Sequence, residues 1–253
     1  MKINSVVMRM VFCLAAVAGC AGAEKADGRK IMFETDTVNT SEGSLAIVFV
    51  GHGSLVFTFA GKTIYVDPVS READYSKHSK ADIILVTHEH GDHLDPEAIA
   101  ALRKDSTKII LTGKCLAKVP DGAVMKNGDT MTVEGLRIEA VPAYNIVHKR
   151  PTGEPFHPKG DGNGYVIIFG DKRVYVAGDT ENIPEMKDLK GIDIAFLPMN
   201  LPYTMTPEMV VDAARSFMPK ILYPYHYGET DTSKLVTLLA DEKSIEVRIR
   251  RMK

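Results

Sequence analysis

The stretch Thr87-His88-Glu89-His90-Gly91-Asp92-His93 packs three histidines and an aspartate into six consecutive positions. Imidazole nitrogens and carboxylate oxygens are ligands that suit Zn²⁺ and similar divalent metals. Four such groups on one short loop are electrostatically unfavourable unless a cation lies between them. We therefore predict a metal site here, with His88 and His90 facing one ion and with Asp92 and His93 facing another.

The segments on either side of this motif predict rigid elements that hold it. Residues 82–86 are mostly apolar and β-branched, as expected for a strand buried on both faces. Asp95 followed by Pro96 is typical of a helix N-terminus and predicts a helix over residues 97–103. Ligands on a loop between a strand and a helix can converge on one point while both elements keep the loop in place.

The composition is that of a globular protein with no preference for polyanions. Of the 253 residues, 45% are hydrophobic and 25% are charged, which argues against disorder, collagen and coiled coil. Lys and Arg total 31 against 33 for Asp and Glu, so the formal net charge is −2. A nearly neutral chain has no electrostatic basis for binding nucleic acid, and we predict no nucleic-acid partner.

Residues 1–19 are predicted to be a bacterial lipoprotein signal peptide. Two basic residues precede the apolar run 10–18, which is too short to span a bilayer. Val17-Ala18-Gly19-Cys20 resembles a lipobox, in which the cysteine becomes the lipidated first residue; cleavage after Ala23 is the alternative. We expect Cys20 to carry a lipid anchor to the membrane, in the bacterial cell envelope and facing the periplasm or the cell surface.

Residues 20–40 are predicted to be a tether, and residues 41–253 a single domain. Each half of the domain has strands followed by helices, which indicates two related halves. The segment 143–164 is rich in Pro, Gly, His and Lys and lacks periodicity, and a loop of this length is commonly functional. Strands are predicted over 46–50, 54–60, 63–66, 108–111, 131–133, 136–141, 165–169, 173–177, 192–197, 221–225 and 245–249, and helices over 206–217 and 231–239.

The motif and several other segments, in the same order, resemble the metallo-β-lactamase superfamily. Residues 141–145 and 156–160 are similar to the branch related to ascorbate-6-phosphate lactonase and N-acyl-phosphatidylethanolamine phospholipase D. The resemblance covers about residues 44–250 and implies an α/β (α+β) fold, a four-layer αββα sandwich with two metal ions at one end of the packed sheets. The other segments are Gly51-His52-Gly53-Ser54, Tyr65-Val66-Asp67-Pro68, Val174-Tyr175-Val176-Ala177-Gly178-Asp179-Thr180 and Pro224-Tyr225-His226-Tyr227-Gly228.

The resemblance also implies which residues complete the two metal sites. A catalytic metal takes about three protein ligands and keeps an open position, and the long loop offers either His148 or His157 as the third nitrogen beside His88 and His90. The resemblance favours His157. The implied ligand sets are His88, His90 and His157 with Asp179 at one ion, and Asp92, His93 and His226 with Asp179 at the other.

Further residues are expected to support the site. Asp67 is predicted to accept a hydrogen bond from a ligand imidazole and so to fix its tautomer. His52 and Tyr144 are expected to lie behind the ligands or to face the substrate. Asp92 is predicted to be catalytic, both as a ligand and as a proton shuttle. Substrate specificity is expected to reside in the loops 143–164 and 199–205.

The chemistry that follows is metal-dependent hydrolysis of a small-molecule substrate. Two divalent ions, with Zn²⁺ favoured and Mn or Fe as alternatives, can share a water and supply hydroxide to attack an ester, lactone or phosphodiester bond. The chain has no Gly-x-Ser-x-Gly elbow that would supply a serine nucleophile. The alternatives are a β-lactamase, which the compartment favours but the expected bridging Asp179 opposes, and a non-catalytic metal-binding envelope lipoprotein.

Overall fold

The structure is a computed structural model that describes residues 33–253. The predicted signal peptide, Cys20 and the first part of the predicted tether lie outside the described residues. Among those that are described, none of the helices has the length and apolar character that a membrane span requires.

The described chain contains two seven-stranded sheets. The first sheet contains β1 (Glu34–Thr40), β2 (Gly43–Gly51), β3 (Ser54–Phe59), β4 (Lys62–Val66), β5 (Ile83–Leu85), β6 (Lys108–Leu111) and β7 (Ala123–Val124). The second contains β8 (Thr130–Val133), β9 (Leu136–Ala143), β10 (Gly162–Phe169), β11 (Lys172–Val176), β12 (Ile194–Pro198), β13 (Ile221–Tyr225) and β14 (Glu246–Val247).

The two sheets repeat one pattern of strand directions. In the first sheet β1 to β4 are antiparallel and β4 to β7 are parallel. In the second sheet β8 to β11 are antiparallel and β11 to β14 are parallel. The prediction of two related halves is therefore confirmed by the topology, although the sequence contains no short repeat.

Three α-helices are described: α1 (Pro96–Leu102), α2 (Pro207–Phe217) and α3 (Thr232–Leu238). Each begins within one residue of its predicted start, because Asp95, Thr206 and Asp231 accept hydrogen bonds from backbone N–H groups of the first turn. Short 3₁₀ turns occupy Tyr75–Lys77, Gly113–Ala117 and Pro184–Asp188.

Burial explains the four-layer arrangement. The inner faces of the sheets pack together through aromatic contacts such as Phe57 with Phe169, whose ring centroids lie 5.5 Å apart. On the outer face of the first sheet, α1 buries Ile99 and Leu102. On the second, Phe217 of α2 packs edge-on against a strand tyrosine. Each large apolar side chain that is fully buried stabilises the folded state by about 1.5–3 kcal/mol. The helices therefore cover both outer faces of the paired sheets, and the predicted αββα sandwich is confirmed.

The predicted tether ends too late. Residues 34–40 are not a linker but form β1, which pairs along its length with β2. The sequence of this edge strand contains no apolar run. Its side chains alternate between half-buried and exposed positions, so none of them needs to be fully apolar. Its polar positions are instead satisfied by specific partners: Asp36 accepts hydrogen bonds from Tyr223 and from the Arg250 guanidinium. The last strand is also shorter than predicted, covering only Glu246–Val247.

Candidate metal centre

The predicted ligands lie at one end of the two sheets because of strand direction. The motif 87–93 follows β5, which is parallel to β4, and Asp67 follows β4. Asp179 follows β11 and His226 follows β13, and both strands run parallel to β12. The carboxyl ends of parallel strands meet at the same edge of a sheet, so these segments converge. His157 reaches the same place from the loop between β9 and β10.

Three histidine nitrogens meet in the first ligand group. His88 Nε2 lies 3.1 Å from His90 Nδ1, which lies 3.2 Å from His157 Nε2. The side chains of His88 and His157 are buried, with 5% of each exposed. Nitrogen lone pairs at these distances repel one another unless a proton or a cation lies between them. The three atoms fit the nitrogen set that a divalent metal takes.

The second ligand group combines a carboxylate with further imidazoles. Asp92, His93 and His226 lie together with His52, with one ligand atom from each within 4.8 Å of the others. Within the part of the chain that the structure describes, His93 Nε2 and His226 Nε2 are buried and have no hydrogen-bond partner. A buried polar atom without a partner is costly. A divalent cation would remove that cost at both nitrogens.

Asp179 lies between the two groups. Its Oδ1 is 3.4 Å from His93 Nε2, and its Oδ2 is 3.3 Å from His157 Nε2 and 3.5 Å from His226 Nε2. The carboxylate is almost fully buried, and Oδ1 is a further described atom without a hydrogen-bond partner. An anionic side chain in this position suits a ligand that is shared by two cations.

The pKa values of the clustered residues show how strongly these side chains affect one another. Burial alone would raise the pKa of Asp179, but His226 and His93 hold it well below its usual range. Burial alone would lower the pKa of His93, yet Asp179 and Asp67 raise it well above its ordinary value. Burial, reinforced by His93, lowers the pKa of His88. A buried carboxylate that stays ionised needs positive charge beside it, which a bound cation would supply.

Asp67 orients two of the candidate ligand histidines. Its Oδ2 accepts from His93 Nδ1 at 2.8 Å and from Thr87 Oγ1 at 2.6 Å. A hydroxyl has one proton, so Thr87 Oγ1 is then an acceptor for His88 Nδ1, 3.0 Å away. Both imidazoles thus carry their proton on Nδ1 and leave Nε2 free for a metal. Asp67 has its predicted position, whereas the role of Thr87 had no signal in the sequence beyond its place in the motif.

Replacing Asp67 with asparagine should weaken metal binding roughly 10- to 100-fold, the usual cost of losing such a supporting contact. The amide cannot accept from Thr87 N, Thr87 Oγ1 and His93 Nδ1 together, as the carboxylate does. Competition with a zinc-chelating dye measures the affinity, and Asp105→Asn, at an exposed position, is the matched control. An Asp67→Asn protein that is folded by circular dichroism and binds zinc as the native chain does would contradict the assignment.

The backbone at the site is locally strained. Of the described non-glycine residues with positive φ, His52, Asp67 and His226 belong to the site, with φ of 49°, 44° and 47°. Such conformations cost of order 1–3 kcal/mol each and cluster at functional sites. Gly53 is required for a different reason, because a Cβ there would lie 2.8 Å from His93 Cε1.

The structure places two further residues considered from the sequence, His148 and Tyr144, outside the ligand cluster. His148 is not in the cluster, since its Nδ1 lies 2.7 Å from Glu181 Oε1, and His157 is the loop histidine that joins His88 and His90. Tyr144 lines neither cavity at the cluster, and its hydroxyl donates to Glu185 Oε2 at 2.9 Å. Tyr144 is buried, and its expected role behind the ligands or facing the substrate stays a prediction.

An open cleft of about 460 Å³ leads to the second ligand group. His52 and Asp92 line it, together with Tyr203 from the loop 199–205. Arg71 and Arg150 also line it, and neither was singled out from the sequence, because nothing in the order of residues predicts which surface arginine turns toward a cleft. The Arg150 guanidinium lies over the Phe156 ring, 5.1 Å from its centroid.

The fold and the cluster together define a metal-dependent hydrolase of the αββα class. Residues 46–226 match the beta-lactamase superfamily domain, and the chain belongs to that superfamily. A UPF0173 metal-dependent hydrolase of Methanoculleus marisnigri is 33% identical over 224 residues, which cover 80% of this chain and 97% of that protein.

Two solved structures are similar to the chain. A candidate metal-dependent hydrolase from Parabacteroides distasonis ATCC 8503 has 54% sequence identity and a TM-score of 0.84, covering 88% of this chain and 100% of that one. A metallo hydrolase from the archaeon Ignicoccus hospitalis has 24% identity and a TM-score of 0.68, covering 83% and 96%. The second similarity shows the fold alone. The predictions of superfamily and of a metal-dependent enzyme are confirmed.

Proposed function

We propose that the chain hydrolyses an ester, lactone or phosphodiester bond in a small molecule, with two divalent ions held in adjacent sites. The observation that carries the proposal is the position of Asp179 between two groups of ligand atoms. His88, His90 and His157 would hold one ion and Asp92, His93 and His226 the other, with Asp179 shared. Zinc suits these ligands best, and manganese and iron are compatible with them.

When bound, such ions supply Lewis acidity and lower the pKa of a water molecule from about 15.7 to near neutrality. The side chains then handle the proton. Asp92 is partly exposed in the cleft, and its Oδ2 lies 3.3 Å from His52 Nε2. His52 Nδ1 lies 3.3 Å from the backbone oxygen of Lys253, so each ring nitrogen of His52 faces an acceptor oxygen. His52 is therefore placed to exchange a proton with Asp92 through the contact between His52 Nε2 and Asp92 Oδ2.

The cleft favours one of the three bond types. Arg71 and Arg150 both line it, and guanidinium groups match the geometry of phosphate oxygens. A neutral ester or lactone would make no use of these charges. We therefore rank a phosphodiester first among the candidate substrates. A β-lactamase remains the alternative enzyme, and a non-catalytic metal-binding protein the alternative outside enzymology.

A substrate panel on the purified full chain tests this function. The chain is loaded with zinc, manganese or iron and assayed with bis(p-nitrophenyl) phosphate, p-nitrophenyl acetate, a γ-lactone and nitrocefin. Turnover of one of the first three that disappears in the Asp92→Asn variant is the expected result. Rapid turnover of nitrocefin alone would establish the β-lactamase instead. A folded, metal-loaded chain that hydrolyses none of them would favour the non-catalytic alternative.

We also propose, from the sequence alone, that Cys20 anchors the chain in the bacterial envelope. Expression in a bacterium fed an alkyne fatty acid should give a labelled protein in the membrane fraction, and Cys20→Ser should abolish the label. Cys13→Ser is the matched control, since Cys13 lies inside the apolar run and should leave labelling unchanged. Labelling that persists in Cys20→Ser would refute the anchor.

A further inference from the structure

Glu181 is a fully buried carboxylate that receives five hydrogen bonds from one short segment of the loop between β9 and β10. Its Oε2 accepts from the backbone N–H groups of Ile146 and Val147, each at 2.7 Å. Its Oε1 accepts from His148 N and His148 Nδ1, each at 2.7 Å, and from Asn145 Nδ2 at 3.1 Å. The loop 144–161 contains no helix or strand apart from one isolated bridge between Lys149 and Pro155, and the bonds to Glu181 hold residues 145–148 of this loop in place.

The hydrogen bonds define Glu181 as an acceptor. Three backbone N–H groups and the Asn145 amide donate to its two oxygens, two of them to each oxygen. A proton on either oxygen would therefore face N–H donors rather than an acceptor.

Asn145 connects Glu181 to His157, one of the proposed metal ligands. Its Nδ2 donates to Glu181 Oε1 and to the carbonyl of Tyr203 at 2.9 Å. Since both of these partners can only accept, the amide cannot be flipped, and Oδ1 must point the other way. There Oδ1 accepts from His157 N at 2.9 Å and from His157 Nδ1 at 2.7 Å. His157 therefore carries its ring proton on Nδ1.

We propose that Glu181 and Asn145 are positioning residues that set the tautomer and place of His157, so that its Nε2 is free to bind a metal. The inference rests on the proposed metal site and adds a specific chain of contacts behind one of its ligands. These contacts lie close to the site, since Glu181 follows Asp179 by two residues and His157 Nε2 lies 3.3 Å from Asp179 Oδ2. One short segment after β11 thus supplies a shared ligand and anchors the loop that supplies another.

Substitution of Glu181 by glutamine tests the proposal with almost no change of shape. In either orientation the amide NH₂ would face at least two N–H donors that the carboxylate now satisfies. The loop should then shift, and affinity for cobalt(II) or zinc should fall roughly 10- to 100-fold. Glu181→Asp, which keeps both acceptor oxygens, should lose less affinity than Glu181→Gln does.

Two readouts separate a positioning role from general destabilisation. Nitrogen-15 NMR of the metal-free chain reports the ring tautomer of His157, which should be Nδ1–H in the native protein and a mixture in Glu181→Gln. The visible absorption of the cobalt(II) form reports the ligand set and should change in the same variant. Glu185→Gln is the matched control, because Glu185 binds Lys159 and Tyr144 of the same loop and none of its described hydrogen bonds involves Asn145 or His157.

A second variant covers the case in which Glu181→Gln does not fold. Asn145→Ala removes the acceptor for His157 Nδ1 but leaves Glu181 its four other donors, and it should also mix the tautomers and weaken metal binding. Native affinity with an unchanged His157 tautomer in the folded variants would overturn the proposal while leaving the metal site intact. A native chain that binds no metal would instead overturn the proposed function.

Discussion

Replacing Asp179 with asparagine should lower kcat/KM about 1000-fold and reduce the number of bound metal ions. The carboxylate lies between His93, His157 and His226, where its charge would stabilise both cations at once. Losing one partner of a buried charge pair costs about 3–5 kcal/mol, and each 1.4 kcal/mol is a factor of ten in rate. Steady-state kinetics on the substrate found by the panel and elemental analysis of the same sample give both numbers.

The matched control for this prediction is Asp105→Asn, which makes the same chemical change at an exposed position. It should keep native kinetics and native metal content. If Asp179→Asn is folded and also keeps its full metal content and activity, Asp179 is not a shared ligand, and the central place given to it in the site is wrong.

Removing the metals should abolish activity and lower the thermal stability of the chain substantially. A metal present at 1000 times its dissociation constant stabilises the folded state by about 4 kcal/mol per site. For a domain of this size each kcal/mol shifts Tm by about 2–4 °C, so chelation at one such site should lower Tm by roughly 8–16 °C. Differential scanning calorimetry before and after dialysis against a chelator measures the shift.

The control for chelation is a chain whose ligands have been removed. His88→Ala combined with His93→Ala takes one imidazole from each ligand group, and its Tm should be almost insensitive to added zinc or to chelator. Re-addition of zinc should restore both Tm and activity to the native chain. A native Tm that does not respond to chelation, in a protein that analysis shows to have lost its metal, would contradict the account.

Most of the fold could be predicted because its signals are local. The buried strand β5 is a run of apolar residues, and α1 begins at an Asp-Pro pair that caps the helix. β1 could not be predicted in this way, because an edge strand needs no apolar face and its stability comes from pairing with β2 and from distant partners of Asp36. The tether boundary at residue 40 was wrong for that reason.

The candidate site likewise contains residues with a local sequence signal and residues whose roles depend on tertiary contacts. The candidate ligands of the motif 87–93 could be predicted from the sequence, because they lie within six consecutive positions. The choice between His148 and His157 depended on how a long irregular loop folds. In the structure Glu181 binds His148, whereas His157 lies beside His90. The contributions of Thr87 and Asn145 depend on hydrogen-bond direction, which follows from tertiary contacts and leaves no pattern along the chain.

The most direct test of the two-metal site is anomalous diffraction from crystals of the full chain grown with zinc, recorded on both sides of the zinc absorption edge. Two anomalous peaks should appear, one bounded by His88, His90 and His157 and the other by Asp92, His93 and His226, with Asp179 between them. A single peak, or peaks away from these side chains in a zinc-saturated protein, would contradict the account.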